Sequence, residues 1–291
     1  MRSWLWALAL LLIGSSLCAQ DDYPFPSLSP LGTITQVVGN TQIEVSYERP
    51  AVRRRAIFGA LVPWDQVWRT GAGHCTKLSF DRPVIVEGQS VPAGTYSLFT
   101  IPNPDEWMVM LNKDTTLYGS NRYDASQDVA RFLVRPGSSA RHYESLTIDL
   151  DVIPNNARLY ISWDHTQVSF LIETTTDDQA ATFIREELLT EKHQQSDGYT
   201  GAADYLYFQG LDYLMALDLA DKALALDPDN GWAMGIKTTL YEKLQLYEQA
   251  LDTITQTIEW TRRRDYGDQE IWRQRDIEQL EAHYQRILEK Q

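Results

Sequence analysis

The chain has 291 residues, 43% of them hydrophobic, and its 40 acidic side chains outnumber the 26 basic ones, which gives a formal net charge of −14. This excess of negative charge repels nucleic-acid phosphates and anionic lipids, so we expect no nucleic-acid partner and no binding to a membrane surface. The charge is uneven, since residues 20–175 carry a net charge of −4 and residues 176–291 carry −11.

The N-terminus has the pattern of a secretory signal. Arg2 precedes an apolar run from Trp4 to Ile13, and small residues lead to a predicted cleavage point after Ala19. The run is too short to span a bilayer, which favours a cleaved signal over an uncleaved anchor. We therefore predict a signal peptide at residues 1–19, a linker at residues 20–32, export of the protein, and no membrane insertion after cleavage.

Cleavage would remove Cys18 and leave Cys75 as the only cysteine. No intrachain disulfide is then expected, although export would permit one. A buried structural thiol is the favoured interpretation of Cys75, because a catalytic thiol would need a base supplied by the fold.

Residues 33–175 have the pattern of an antiparallel β-domain. In the segment "SLTIDLDV", Leu146, Ile148 and Leu150 alternate with polar residues, as in a strand with one buried face. Turn residues separate such runs, and no amphipathic helix intervenes, so we predict an all-β sandwich or barrel-like domain. The predicted strands are 33–38, 42–47, 75–80, 83–86, 95–101, 107–111, 129–134, 145–152, 158–163 and 166–172.

Residues 176–291 have a helical pattern. Apolar residues at Ala181, Ile184 and Leu188 predict a first helix that ends near His193, and the segment 194–201 is expected to interrupt it. The predicted last helix begins near residue 269 and caps the domain. Its apolar stripe consists of Ile277, Leu280, Tyr284, Ile287 and Leu288.

Within this region, "YLMALDLADKALALD" is followed 34 residues later by "YEQALDTITQTIEWT". That period is typical of tetratricopeptide repeats, whose helix pairs stack and bind other proteins. We predict two such repeats, at about residues 197–230 and 231–264, which dock an unknown protein partner. The residues expected to pack between their helices are Tyr207, Ala216, Tyr241 and Ala250.

The segment 49–80 contains the strongest candidate for a binding site, the cluster Trp68, Arg69, Thr70 and Gly71. Arginine offers a fork for carboxylate or phosphate, tryptophan offers a stacking face, and glycine lets a ligand approach the backbone. In the structural alternative, Trp68 lies in the core, Arg69 pairs with a buried carboxylate such as Asp65, and the glycine only turns the chain.

The same segment holds two further features. The run Arg53, Arg54 and Arg55 could bind an anion or form a solvated turn. His74 is a candidate binding residue, but none of the five histidines has the spacing of a metal site, so we predict no metal and no cofactor.

A second candidate site is the turn at residues 111–124, where Asn112, Lys113 and Asp114 begin a polar, aromatic loop. This composition suits contact with a sugar or peptide, although ordinary loop chemistry explains it equally well. The sequence contains no nucleophile elbow, phosphate-binding loop or dinucleotide-binding motif, and we assign no catalytic residue.

Three motifs together resemble domain of unknown function 2911, a family of exported bacterial domains, over about residues 28–173. They are "ERPAVRRRAIFGALVPWDQVWRTGA", "VEGQSVPAGTYSLFTIP" and "EWMVMLNKD". The resemblance implies a β-rich domain, often followed by helical repeats, and implies no activity. Where relatives commonly have Asn-Glu, this chain has Gly73 and His74.

These observations favour an exported binding or scaffold protein in the periplasm or at the surface of a Gram-negative bacterium. In this hypothesis the β-domain holds a small ligand, glycan or peptide. The alternatives are a hydrolase-like enzyme built around Arg69, His74 and the 111–114 turn, and a purely structural envelope protein. Convergence of Trp68, Arg69, His74 and Lys113 in one pocket would favour binding or catalysis, and their dispersal or burial would favour the structural role.

Overall fold

The computed structural model describes residues 25–291, which divide into two compact units at Thr174 and Thr175. The predicted signal peptide and its cleavage point lie outside the described residues. The first unit is built from strands and the second from helices, which confirms the predicted fold class. In the described part of the chain, no helix is both long enough and apolar enough to span a membrane.

The β-unit contains ten strands, and all the strand pairs are antiparallel. The first strand begins at Leu31, so the end of the predicted linker belongs to the sheet. The strands are β1 Leu31–Val38, β2 Thr41–Glu48, β3 Thr76–Phe80, β4 Val84–Val86, β5 Gln89–Val91, β6 Gly94–Ile101, β7 Trp107–Asn112, β8 Asp128–Val134, β9 Gly137–Ile153 and β10 Asn156–Thr174.

These strands form two sheets that enclose one core. The six-stranded sheet has the order β1-β2-β3-β6-β7-β8, and the four-stranded sheet has the order β5-β4-β10-β9. Alternate residues of β2, such as Ile43 and Val45, join the same apolar cluster as Ile148 and Leu159 of the other sheet. Side chains of two separate sheets that meet in one core make this unit a sandwich.

The hairpin of β9 and β10 differs from the prediction. The polar stretch after Trp163 predicted a turn between two short strands. In the structure, a single strand of 19 residues, β10, runs through this stretch. The register against β9 shifts between Ser162, Asp164 and Thr166, and Asp164 has φ of 55°. This irregularity is a β-bulge, which lets a strand continue through a stretch that would otherwise form a turn.

The helical unit contains six α-helices, α1 Thr176–Phe183, α2 Ser196–Phe208, α3 Tyr213–Leu226, α4 Gly231–Lys243, α5 Tyr247–Arg263 and α6 Glu270–Leu288. Helices α3 and α5 begin 34 residues apart, at the two matching tyrosines. The helix is interrupted as predicted, but α2 begins at Ser196, within the segment 194–201 that was expected to form the break. The hydroxyl of Ser196 donates to the carbonyl of Ala223, and that of Thr200 donates to the carbonyl of Ser196, so both polar groups find partners in the helical unit.

The core between these helices is rich in alanine. Ala216 of α3 and Ala250 of α5 are fully buried, while Tyr207 and Tyr241 are half-buried and pack against the apolar clusters. Small side chains let helix backbones approach closely, which is the packing that the repeat pattern predicts.

The last helix, α6, presents a narrower apolar stripe than predicted. Ile287 is fully buried, and Leu280 and Tyr284 pack beside it, but Leu288 is 46% exposed. Successive residues of an α-helix point about 100° apart around its axis. Leu288 therefore cannot point into the same contact as Ile287.

A charged contact joins α6 to α4. The carboxylate of Glu242 in α4 accepts from His283 Nε2 at 2.8 Å and from the ammonium of Lys290. Burial raises the pKa of Glu242, but these two hydrogen bonds outweigh it and hold the pKa below its ordinary value.

We predict that Ala216→Leu lowers the free energy of unfolding by about 1 to 3 kcal/mol, because the larger side chain overpacks a full contact. Ala225→Leu is the matched control, since Ala225 lies on the same helix but is exposed, and it should change stability by less than about 0.5 kcal/mol. Denaturant unfolding measures both. Equal losses for the two variants would contradict the assigned helix faces.

We also predict that the difference in free energy of unfolding between the wild type and Glu242→Gln becomes smaller as the pH falls. Because the pKa of Glu242 is lower in the folded chain, the contribution of this carboxylate is complete above its ordinary pKa of 4.5 and is lost as the pH falls through the lowered value. Unfolding free energies at pH 7 and near pH 3 test this. A difference that stays constant or grows toward low pH would contradict the assignment.

Candidate functional site: an arginine-lined cleft in the β-unit

Residues 49–75 connect β2 to β3 without a strand of their own, and Trp68 anchors this connection. Its backbone exchanges two hydrogen bonds with Thr100 of β6, at 2.7 and 2.9 Å. Its ring is 7% exposed and stacks on Trp163, with centroids 5.9 Å apart, and its Nε1–H donates to the carbonyl of Gly71 at 3.0 Å. Trp68 therefore packs in the core, as in the structural alternative, and offers no open stacking face.

The next residues are held in an uncommon backbone conformation. Thr70 has φ of 54°, which is a genuine outlier for a β-branched residue. The hydroxyl of Thr76 donates to the carbonyl of Thr70 at 2.7 Å, and the hydroxyls of Thr70 and Thr100 lie 3.1 Å apart. A Cβ on Gly71 would lie 2.9 Å from the Thr76 hydroxyl, so this position needs glycine. These contacts maintain the strained turn that follows Arg69.

A cleft with a volume of about 380 Å³ lies beside this turn. The side chains of Arg53, Arg55 and Arg69 line it, together with apolar residues that include Leu61 and Trp163, and none of the lining residues is acidic. The structure thus joins two features that the sequence presented separately, the arginine run and the Trp-Arg-Thr-Gly cluster.

Arg69 is half-buried, and its Nε lies out of contact with solvent without a hydrogen-bond partner. No carboxylate of the described residues forms an ion pair with it. Asp65, the partner considered from the sequence, is exposed and accepts from Asn103 Nδ2 at 2.7 Å instead. A buried N–H without a partner costs about 1 to 3 kcal/mol, so an acceptor on a ligand would stabilise it.

The other two arginines are held by backbone carbonyls. Arg55 donates from Nε to Val52 at 3.1 Å and from Nη2 to Ala51 at 2.6 Å, and Arg53 Nη2 donates to Leu28 at 2.9 Å. Carbonyls orient these guanidinium groups without neutralising their charge. Arg54, in contrast, does not line the cleft.

His74 lies outside the lining of the cleft. Its side chain is 68% exposed, its Nδ1 is 3.6 Å from the Glu48 carboxylate, and its ring meets the edge of Tyr118. The same carboxylate accepts from the backbone N–H of His74 at 3.0 Å, and a Cβ on Gly73 would collide with it. Gly73 and His74 thus form a small cluster with Glu48 and Tyr118.

The 112–114 turn also lies outside the cleft, and most of its polar groups are satisfied within the turn region. Asn112 is fully buried, and its Nδ2 donates to the carbonyl of Asp124 and to Asp128 Oδ1, each at 2.9 Å. Hydrogen bonds from Thr116 lower the pKa of Asp114. The side chain of Lys113 is exposed. The residues predicted from this turn therefore do not converge with Arg69.

Cys75 is buried and packs against Phe99, Met110 and Leu117, a small apolar cluster separate from the main core. The hydroxyl of Ser97 lies 2.8 Å from its sulfur. The surroundings agree with a structural thiol.

A larger groove of about 490 Å³ lies in the helical unit, lined by residues of α4, α5 and α6. There the guanidinium of Arg264 lies over the rings of Trp260 and Tyr266, at 5.0 and 5.5 Å, and the acidic side chain of Asp276 shares the lining. Its charges are mixed and Arg264 is already engaged, so the cleft of the β-unit is the better candidate.

Residues 29–172 match a protein-family model described as a protein of unknown function, DUF2911. Searches of the curated proteins and of the solved structures each found no significant match. The matched range covers the whole lining of the cleft except Leu28, and it excludes all six helices. The β-unit is therefore similar to the DUF2911 family over almost all of its length.

Proposed function

We propose that this is an exported binding protein, in which the β-unit holds a small ligand in the arginine-lined cleft and the helical unit docks a protein partner. The observation that carries the proposal is the buried, unpartnered Nε of Arg69 at this cleft. Buried donors in folded proteins are nearly always satisfied, and the position of this one at a cleft gives a ligand access to it.

The dimensions of the cleft support this function. Its volume of about 380 Å³ lies in the range of about 300 to 1,000 Å³ that is typical of small-molecule sites. Its lining combines apolar residues with three arginines, and sites for small molecules usually combine apolar residues with a few polar groups that orient the ligand.

The helical unit supports a role in protein contact. The helix starts repeat at a spacing of 34 residues, as tetratricopeptide-like repeats do. Around the connection of α2 and α3, the apolar side chains of Phe208, Leu211 and Leu214 are exposed. Clustered exposed apolar side chains mark surfaces that bind other proteins.

The two alternatives have less support. A hydrolase would need Arg69, His74 and the 111–114 turn to act together, but only Arg69 lines the cleft. A structural envelope role agrees with the burial of Trp68 and with the dispersal of His74 and Lys113, yet it leaves the donor of Arg69 at the cleft without a partner.

The proposal predicts that Arg69 contributes little to folding. Arg69→Met keeps an unbranched side chain, breaks no protein hydrogen bond and removes a buried donor that has no partner, so the free energy of unfolding should equal or exceed that of the wild type. Arg49 is the matched control, because its Nε donates to the carbonyl of Leu146 at 3.1 Å and its Nη2 donates to Thr147 at 3.2 Å. Arg49→Met should cost about 1 to 3 kcal/mol.

Denaturant unfolding of the two variants separates the hypotheses. If Arg69→Met loses as much stability as Arg49→Met, Arg69 is a structural residue and the proposed site is wrong.

Export predicts cleavage of the chain near Ala19. Mass spectrometry of protein from the native cell envelope should find an N-terminus at Gln20 or within a few residues of it. Recovery of chains that retain Met1 would contradict the proposed signal peptide.

A further inference from the structure

We infer that the ligand of the cleft is a small organic anion, with one carboxylate or phosphate group on an apolar body. The inference rests on the proposed binding function and narrows its ligand from the wider set of small molecules, glycans and peptides.

The charge of the residues that line the cleft favours an anionic ligand. Three arginines line the cleft, no acidic residue does, and the rest of the protein is strongly acidic. Like charges gathered at one site repel each other, and an anion between them would reverse this unfavourable energy. The carboxylate of Glu144 accepts from the backbone N–H of Arg53 at 3.0 Å, but Glu144 lies outside the lining.

The guanidinium N–H donors at the cleft also favour a carboxylate or phosphate group. A guanidinium group binds the oxygens of carboxylate or phosphate through parallel N–H donors. The carbonyls of Val52, Ala51 and Leu28 use only some of the donors of Arg55 and Arg53. Arg69 donates none of its N–H groups to the described residues. Donors therefore remain for a ligand, and two of the three side chains are already oriented.

The rest of the lining defines the body of the ligand. Most other residues are apolar, including Leu61, Val62, Pro63 and Val67. The neutral polar groups are the side chains of Ser29, Gln66 and Ser120 and the indole N–H groups of Trp68 and Trp163. A glycan needs many neutral hydrogen-bonding partners, which this lining does not supply. An apolar body with an anionic head fits both parts of the cleft.

Thermal unfolding of the purified protein with four probes tests the inference. Phenyl phosphate and benzoate combine an anionic group with an apolar ring, benzyl alcohol has the ring without the charge, and inorganic phosphate has the charge without the ring. We expect both ring anions to raise the melting temperature, inorganic phosphate to raise it less, and benzyl alcohol to have no effect.

Two variants locate the binding. Arg69→Gln should weaken binding of the ring anions at least about tenfold, because it removes charge-assisted hydrogen bonds. Arg82→Gln makes the same change of charge at an exposed arginine of the same unit outside the cleft, and it should leave binding unchanged.

The outcomes separate this inference from the function on which it rests. Equal stabilisation by benzyl alcohol would overturn the anion inference, whereas the proposed binding function would stand. Equal weakening by the two substitutions would place the bound anion outside the cleft and contradict both. If no anion binds but a neutral glycan or peptide stabilises the wild type and not Arg69→Gln, the proposed function stands and the anion inference fails. If no compound of any class stabilises the protein, both fail.

Discussion

The position of the candidate site depends on the burial of Trp68. Residues 49–75 form no strand, and their place on the sandwich is set by the backbone pairing of Trp68 with Thr100 and by the stacking of its ring on Trp163. Burial of a large aromatic side chain contributes several kcal/mol, far more than the strain of one residue in an unfavourable conformation. The core thereby holds Thr70 in its strained turn and leaves Arg69 at the wall of the cleft.

In an acidic protein, an anion must be bound mainly by groups inside the cleft. The long-range field of a chain with a net charge of −14 repels anions, so surface attraction does not gather them. Binding must then come from short-range hydrogen bonds in a partly desolvated site, where screening by salt is weaker than at the surface. The half-buried Arg69 meets that requirement better than the exposed Arg53 and Arg55.

Much of the fold could be predicted from the sequence, because burial on one face produces a visible period. Alternation identified β2 and the end of β9, and the 34-residue offset identified α3 and α5. The long β10 was missed because a β-bulge at Asp164 has the same composition as a turn. The break before α2 was predicted too long, because the hydrogen-bond partners of Ser196 are Ala223 and Asn230, which lie far along the chain.

The candidate site was predictable only in part. Trp68, Arg69 and Gly71 stood out by residue type. That they line the same cleft as Arg53 and Arg55 follows from the fold of the connection and could not be predicted from the sequence. Nothing in the sequence pointed to Trp163, and Ser120 reaches the cleft from the 111–124 turn, whose named candidates Asn112, Lys113 and Asp114 do not. Asn112 and Asp114 had the composition of a binding loop, and only the fold reveals that neighbouring residues already satisfy their hydrogen bonds.

The central claim is that the Nε–H of Arg69 is free in the unliganded protein and binds an acceptor on the ligand. Nuclear magnetic resonance of the arginine Nε–H groups measures this directly, with the Arg69 signal assigned by its absence in Arg69→Met. Addition of phenyl phosphate should shift the Arg69 signal and leave the signal of Arg49 unchanged, since Arg49 is already bonded to Leu146. An Arg69 signal that does not move while phenyl phosphate raises the melting temperature would place the ligand elsewhere and contradict the account.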